Sequence, residues 1–156
     1  YDSSAMEKNE NNKYDITLEL RTSIRTTVIT MMENAAYMLK EIPRVEFSGS
    51  MGEEIREASE KMIGTKHDVF NALHDLDELI EEKDPKDRIR DHFAMILGWI
   101  AEDIKVMHGL TGEIYATAVK DDRFYLGFTL VVESTVNIIT TANPCFKTFN
   151  ELKIAA

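Results

Sequence analysis

The sequence predicts an all-α fold: an antiparallel up-down four-helix bundle with a short C-terminal helical appendage. Apolar residues recur at spacings of three and four in four long segments, which is typical of helices that each bury one stripe. Stretches that contain proline or glycine separate these segments, as short connections between antiparallel helices do. A chain of 156 residues, 44% of them hydrophobic, is long enough for one domain with a substantial core.

The chain begins with a polar stretch. Residues 6–13 show no apolar periodicity, so we expect residues 1–13 to form a disordered arm and residues 14–156 a single helical-bundle domain. Tyr1 to Ala5 precede Met6 and are interpreted as a remnant added during cloning, with the native start at Met6.

The first helix is predicted from about residue 15 to residue 41. Tyr14 to Arg21 alternate between apolar and polar residues, as a strand does, but Leu20 also extends the helical stripe that follows. That stripe consists of Ile24, Val28, Met31, Ala35 and Met38. We expect the helix to stop before Pro43, because the residue preceding a proline avoids helical dihedral angles.

The second helix, Glu53 to Lys83, carries a seven-residue repeat. One core position holds Ile55, Met62, Val69 and Leu76, and the other holds Ala58, Thr65, Ala72 and Leu79. The opposite row is polar and consists of Glu60, His67, His74 and Glu81. Gly64 could end one helix and start another. However, the repeat stays in phase across Gly64, which favours one unbroken helix.

A third helix is predicted to start near Pro85 and to end at His108-Gly109, and a fourth stripe follows it. The third stripe is Ile89, Phe93, Ile96, Ile100, Ile104 and Met107, and the fourth is Ile114, Ala118, Tyr125, Phe128, Val132, Val136 and Ile139. The charged run 120–123 can split the fourth element, and Phe124 to Val132 has the composition of a strand as an alternative. We expect Asn143-Pro144 to end this element and the last residues to form the appendage.

Composition disfavours several classes of function. Eighteen basic and 28 acidic residues give a net charge of −10, so binding of nucleic acid is not expected. The single cysteine, Cys145, cannot form a disulfide within the chain. We find no uninterrupted apolar run long enough for a membrane span and no signal peptide at the start of the chain. We therefore expect a cytoplasmic protein.

The four histidines give no metal-binding spacing. His67 and His74 lie seven residues apart, which is about 10 Å along a helix and too far for one ion. Both belong to the polar row, which should face solvent. A hairpin of the second and third helices should bring His92 level with about Asp77. A contact between this imidazole and the carboxylate is one interpretation, and solvated or salt-bridged histidines are the favoured one.

Two acidic motifs are the candidate metal ligands. Glu53, Glu54 and Glu57 form E-E-x-x-E, and Glu81 and Asp84 form E-x-x-D. The pair of motifs resembles the metal-binding signature of the all-helical nucleotide pyrophosphohydrolases. That resemblance implies carboxylates that hold Mg²⁺, position a phosphate chain and activate water. On one continuous helix Glu57 and Glu81 would be about 36 Å apart, so only a break at Gly64 would unite them.

The sequence favours a non-enzymatic protein that acts through association with a protein partner or with copies of itself. It contains no G-x-S-x-G, P-loop or G-x-G-x-x-G motif. Met95, Trp99 and Val106 form a second apolar face on the third helix and are the predicted interaction surface. The alternative is a ligand- or metal-binding helical bundle, with a Mg²⁺-dependent nucleotide pyrophosphohydrolase as its enzymatic form. No cofactor is predicted except Mg²⁺ in that alternative.

Overall fold

Four long helices make up the computed structural model, which describes the backbone of residues 3–81 and 86–155 and the side chains of residues 17–79 and 87–152. The helices are α1 (Ser3–Glu41), α2 (Met51–Glu81), α3 (Lys86–Ala118) and α4 (Tyr125–Ala155). Short 3₁₀ turns, Ile42–Arg44 and Asp122–Phe124, lie before α2 and α4. No strand occurs in the described ranges, so the predicted all-α class is confirmed.

The apolar stripes predicted for α1 and α2 form the core. The five stripe residues of α1 from Ile24 to Met38, together with Leu20, are fully buried. Seven of the eight repeat residues of α2 are buried as well, and the eighth, Leu79, packs against the core. α2 runs through Gly64 without a break, as the unshifted repeat predicted.

Two helix boundaries differ from the prediction. α1 begins at Ser3 and not near residue 15, because adding turns to an existing helix avoids the cost of nucleation. The predicted end of α3 at His108-Gly109 is wrong, since α3 continues to Ala118. Leu110 and Ile114 extend the buried stripe beyond Gly109. Their burial outweighs the roughly 1 kcal/mol by which glycine weakens a helix interior.

α4 departs most from the prediction. The charged run 120–123 does separate two helices, α3 and α4. At this turn the Asp121 side chain accepts a hydrogen bond from the backbone N–H of Arg123. Residues 124–132 are helical and form no strand. The predicted stop at Pro144 is wrong, because α4 passes through Pro144, and residues 145–155 are its last turns.

The stripe predicted for α4 is also wrong in part, because Tyr125 and Val136 are exposed. The apolar residues that α4 buries are Leu130, Val131, Ile138, Ala142, Cys145 and Leu152. α4 is apolar on more than one face, so its periodicity does not identify the inner one.

Each helix packs against two others. α1 contacts α2 and α4, and α3 contacts the same two helices. Between α1 and α4, Thr27 bonds to the carbonyl of Thr141, whereas Asn34 bonds to Asn137. Between α2 and α3, Thr65 bonds to Asp103 and Ala72 to His92. From the first bond to the second, the residue number rises on α1 and falls on α4, and it likewise rises on α2 and falls on α3.

The connection between α1 and α2 packs onto the start of α4. Gly49 has a φ of +57°, a left-handed conformation that favours glycine. A Cβ atom on Gly127 would lie 2.6 Å from the Phe47 ring and 3.1 Å from the Glu46 carbonyl oxygen. The connection can therefore approach α4 this closely only because residue 127 has no side chain.

One described helical segment, Asp122–Leu152, is long and apolar enough to cross a membrane by length and composition alone. A third of its apolar window is buried in the fold. A core helix of a soluble protein passes the same test, so the expected absence of a membrane span stays a prediction.

Candidate functional site

An acidic residue occupies a core position of α3. Asp103 continues the stripe of Phe93, Ile96 and Ile100, and its exposed fraction is only 2%. Across the α2–α3 contact lies Thr65, at a core position of the α2 repeat and also buried. The Thr65 hydroxyl donates a hydrogen bond of 2.5 Å to Asp103 Oδ2. Two polar residues thus meet where two apolar residues would ordinarily pack.

The second carboxylate oxygen of Asp103 is poorly satisfied. Oδ1 is inaccessible to solvent and accepts no hydrogen bond from the described residues. The nearest cation is the ammonium of Lys61, 3.5 Å away, on a side chain that is about half exposed. Burial raises the pKa of Asp103, and the Thr65 hydrogen bond and Lys61 oppose that rise. Asp103 is therefore a buried carboxyl group with unused capacity to bind a cation.

A groove of about 330 Å³ lies over this pair, between α2 and α3, and we call it the α2–α3 groove. A Cβ atom on Gly64 would have no neighbour within 4 Å, so the groove is open at that point. The Trp99 indole, 37% exposed, provides an apolar wall. The residues that line the groove are Lys61, Gly64, Thr65, Asp68, Trp99, Glu102 and Asp103.

The chemistry of the α2–α3 groove is that of cation recognition. Its carboxylates, Asp68, Glu102 and Asp103, outnumber its single lysine. An indole face also attracts cations through its quadrupole. Its lining includes neither a histidine nor a cysteine, the usual partners of an activated nucleophile. In the described part of the chain, no three His, Cys, Asp or Glu residues are grouped to hold a metal ion.

The predicted metal ligands within the described residues lie at opposite ends of α2. Glu53, Glu54 and Glu57 are exposed at the start of α2, where Glu53 lies 3.6 Å from Arg56. Glu81 is the last residue of α2, but its side chain and all of Asp84 lie outside the described residues. Because α2 is unbroken, about 36 Å of helix separates Glu57 from Glu81. Glu57 and Glu81 therefore lie too far apart on this helix to hold one ion.

The three residues of the predicted interaction surface have different surroundings. Met95 and Trp99 are exposed on α3, whereas Val106 is partly buried against the core. Trp99 also lines the α2–α3 groove. The structure thus connects Trp99 with the buried carboxylate, a relation that the linear spacing of the residues did not predict.

The histidines take no part in this groove. His67 and His74 are exposed, as predicted. The predicted contact of His92 with Asp77 is wrong. Nε2 of His92 donates to the Ala72 carbonyl oxygen over 2.7 Å, and Asp77 pairs with Arg21 of α1. The prediction considered only α2 and α3. Arg21 reaches Asp77 from α1, which packs against α2 from another side.

Cys145 is a packing residue. It is fully buried, and its Sγ lies 3.1 Å from the Thr27 hydroxyl. Burial raises the pKa of the thiol, so the reactive thiolate is disfavoured.

A second candidate site is apolar and lies around the turn between α3 and α4. The Phe128 ring centroid lies 5.7 Å from that of Tyr115 and 6.4 Å from that of Tyr125. Leu126 lies beside Tyr37 in a neighbouring groove. We define the end surface as Tyr37, Tyr115, Val119, Tyr125, Leu126 and Phe128; all but Phe128 are exposed.

The sequence pattern did not predict a site at Asp103, because the neighbouring Ile104 also fits the apolar spacing of α3. The available signal was a charged residue at the core spacing that links Ile100 to Met107. A carboxylate at such a position is rare unless it is paired or has a function.

The fold and these two sites define a four-helix protein with an acidic groove and an apolar end surface. The chain matches no protein-family model, and comparisons with curated proteins and with solved structures give no significant match.

Proposed function

We propose that this protein is a non-enzymatic helical bundle that acts by association with a second copy of itself through the end surface. The four helices form an antiparallel up-down bundle in this proposal. The cyclic packing of α1, α2, α3 and α4 supports that arrangement, as do the opposed residue numbers of the interhelical hydrogen bonds.

The exposure of large apolar side chains at the end surface carries the proposal. Leu126 is 66% exposed, and Tyr125, Val119 and Tyr115 are all more than half exposed. Single exposed apolar residues are ordinary, but several exposed aromatic and aliphatic side chains around one turn are typical of an interface. Tyrosine in particular is enriched at protein interfaces, because its ring is apolar and its hydroxyl can stay hydrated.

The mixed charges beside Leu126 support a second copy as the partner, although the net charge of the chain opposes association. Two chains of net charge −10 repel each other, so they would associate through a surface where apolar contact outweighs the repulsion. Beside Leu126 lies a groove of about 340 Å³ whose lining carries both signs of charge, from Glu41, Arg44 and Glu133. In a two-fold symmetric dimer the same patch meets itself, so mixed charges can pair across the axis.

Sedimentation equilibrium over a concentration series tests the proposal. We expect the wild-type chain to form a dimer and Leu126→Glu to weaken it by at least about tenfold, because burying an unpaired charge at an interface is unfavourable. Leu18→Glu is the matched control. Leu18 is 47% exposed on α1 and outside the end surface, so this variant should dimerise like the wild type.

A wild-type chain that stays monomeric at about 100 µM would overturn the proposal, since a dissociation constant above that range corresponds to weak association. So would a dimer that Leu126→Glu leaves intact, because the interface would then lie elsewhere. Circular dichroism of both variants establishes that they fold.

A further inference from the structure

We infer that the α2–α3 groove binds a short aliphatic diamine, with one ammonium on Asp103 and the methylene stem along Trp99. This inference concerns a different part of the molecule from the end surface and does not rest on self-association.

The first support is the buried carboxylate itself. Asp103 is nine-tenths or more buried, and its Oδ1 has no hydrogen-bond donor among the described residues. A buried, incompletely paired carboxylate destabilises a fold relative to an apolar side chain of similar size. A ligand that donates N–H groups and carries positive charge would satisfy this oxygen.

Lys61 shows which kind of group the site accepts. Its ammonium lies 3.5 Å from Asp103 Oδ1 at the end of a flexible, half-exposed side chain. The groove therefore already places an alkylammonium group near the carboxylate, at a distance beyond a good hydrogen bond. A ligand ammonium can approach more closely, and Lys61 can turn out to solvent when it does so.

The remaining lining suits a second ammonium and an apolar stem. Asp68 and Glu102 are exposed carboxylates of the groove, one from each helix. The Trp99 indole and the open space over Gly64 belong to the same lining. With three carboxylates and one lysine, the lining has an excess of two negative charges when all are ionised, which matches a dication. The volume of about 330 Å³ is at the small end of ligand pockets and fits a four-carbon diamine.

Trp99 provides a built-in reporter, because it is the only tryptophan in the chain. Its fluorescence would be recorded during titration with 1,4-diaminobutane at neutral pH. Butylamine tests the need for the second charge, and 1,4-butanediol tests the need for any charge. We expect a saturable change with the diamine, weaker binding of butylamine and none of the diol.

Three variants assign the binding to the groove. Asp103→Asn should weaken diamine binding by about tenfold or more, because a charge-assisted hydrogen bond is lost. Lys61→Ala should strengthen binding, since it removes the internal competitor for Oδ1. Glu113→Gln is the matched control. It removes the same charge from an exposed position of α3 about 15 Å along the helix, and should leave affinity unchanged.

The pH dependence separates a ligand-binding role of Asp103 from a structural one. Binding needs the ionised carboxylate, so affinity should fall as pH falls through the raised pKa of Asp103. Lys61, Asp68 and Glu102 are charged groups that face the same groove. The pH profile of diamine affinity in the wild type is therefore compared with that in Asp103→Asn, which keeps these three groups and lacks only the Asp103 carboxyl.

Several outcomes would overturn the inference. One is the absence of a saturable signal in the wild-type chain, and another is equal binding by the diol. Unchanged affinity in Asp103→Asn would also contradict it, as would a response to Mg²⁺ alone with none to the diamine. Leu126→Glu should bind the diamine normally, so failure of the groove and failure of the proposed dimer are distinguishable.

Discussion

Asp103 illustrates how one residue can oppose the stability of a helical core. Burial raises its pKa above the ordinary value of 3.8, which means that the folded chain holds the proton more tightly than the unfolded chain. The contribution of Asp103 to stability is therefore fully present below the unfolded pKa and is lost as pH rises through the folded pKa. The ionised form of the carboxylate therefore lowers the free energy of unfolding relative to the protonated form.

We predict that Asp103→Asn is more stable than the wild type at pH 7, by about 1 kcal/mol. The amide oxygen can still accept the Thr65 hydrogen bond, while the charge is gone. Urea denaturation at several pH values measures the effect. The difference should shrink as pH falls below the unfolded pKa, where both side chains are neutral. A variant that is less stable at pH 7 would show that Lys61 and Thr65 more than offset the burial of the charge.

At the scale of the elements, α4 differs from the other helices. It continues through Pro144, which lacks an N–H and leaves the carbonyl of Thr140 without its usual helical partner. Thr140 is exposed, so water can satisfy that carbonyl. Buried apolar residues on both sides of Pro144, such as Ala142 and Cys145, favour continuation of the helix. A proline is a reliable stop signal only where packing beyond it is weak.

The start of α4 depends on close contact with the connection before α2. We predict that Gly127→Ala destabilises the protein by about 1–3 kcal/mol, because the new methyl would overlap the Phe47 ring and crowd the Glu46 carbonyl. The measurement is the free energy of unfolding in urea.

Gly98→Ala is the control for this prediction. Gly98 is an exposed residue inside α3, and a Cβ atom there has open space around it. Alanine should therefore raise stability by about 0.5–1 kcal/mol through the reduced entropy of the unfolded chain. A neutral or stabilising Gly127→Ala would mean that Phe47 can move away at little cost.

For the molecule as a whole, buried polar pairs complement the apolar packing. Thr65 with Asp103 connects α2 to α3, and Thr27 with Cys145 connects α1 to α4. Sliding either helix by one turn would separate these partners and leave buried polar groups unsatisfied. The pairs therefore favour one register among the several that apolar stripes alone would permit.

Net charge gives a prediction for the proposed dimer. Two copies of charge −10 repel, and salt screens that repulsion over about 8–10 Å at moderate ionic strength. The dimer dissociation constant should therefore fall by about threefold or more between low and high salt. Sedimentation equilibrium at about 0.05 and 0.5 M NaCl measures this effect. Weaker association at high salt would show that pairs of opposite charge across the axis outweigh the net repulsion.

The linear pattern of apolar and polar residues was enough to predict the all-α class, the inner faces of α1 and α2, part of the inner face of α3, and the continuity of α2 across Gly64. In each case a polar face opposes an apolar one, so a single orientation buries the stripe. A seven-residue repeat that keeps its phase also leaves no room for a loop. These properties depend on local spacing, which a linear sequence contains in full.

Packing between helices determines which face of α4 is buried, how far α3 continues past Gly109, and the position of Asp103 beneath a groove beside Trp99. α4 is apolar on several sides, so the residues of α1 and α3 that pack against it select its inner face. Asp103, likewise, acquires its surroundings from Lys61 and Thr65, about 40 residues earlier in the chain. The physical reason is that burial and the pairing of polar groups depend on neighbours brought together by folding, and local periodicity does not name those neighbours.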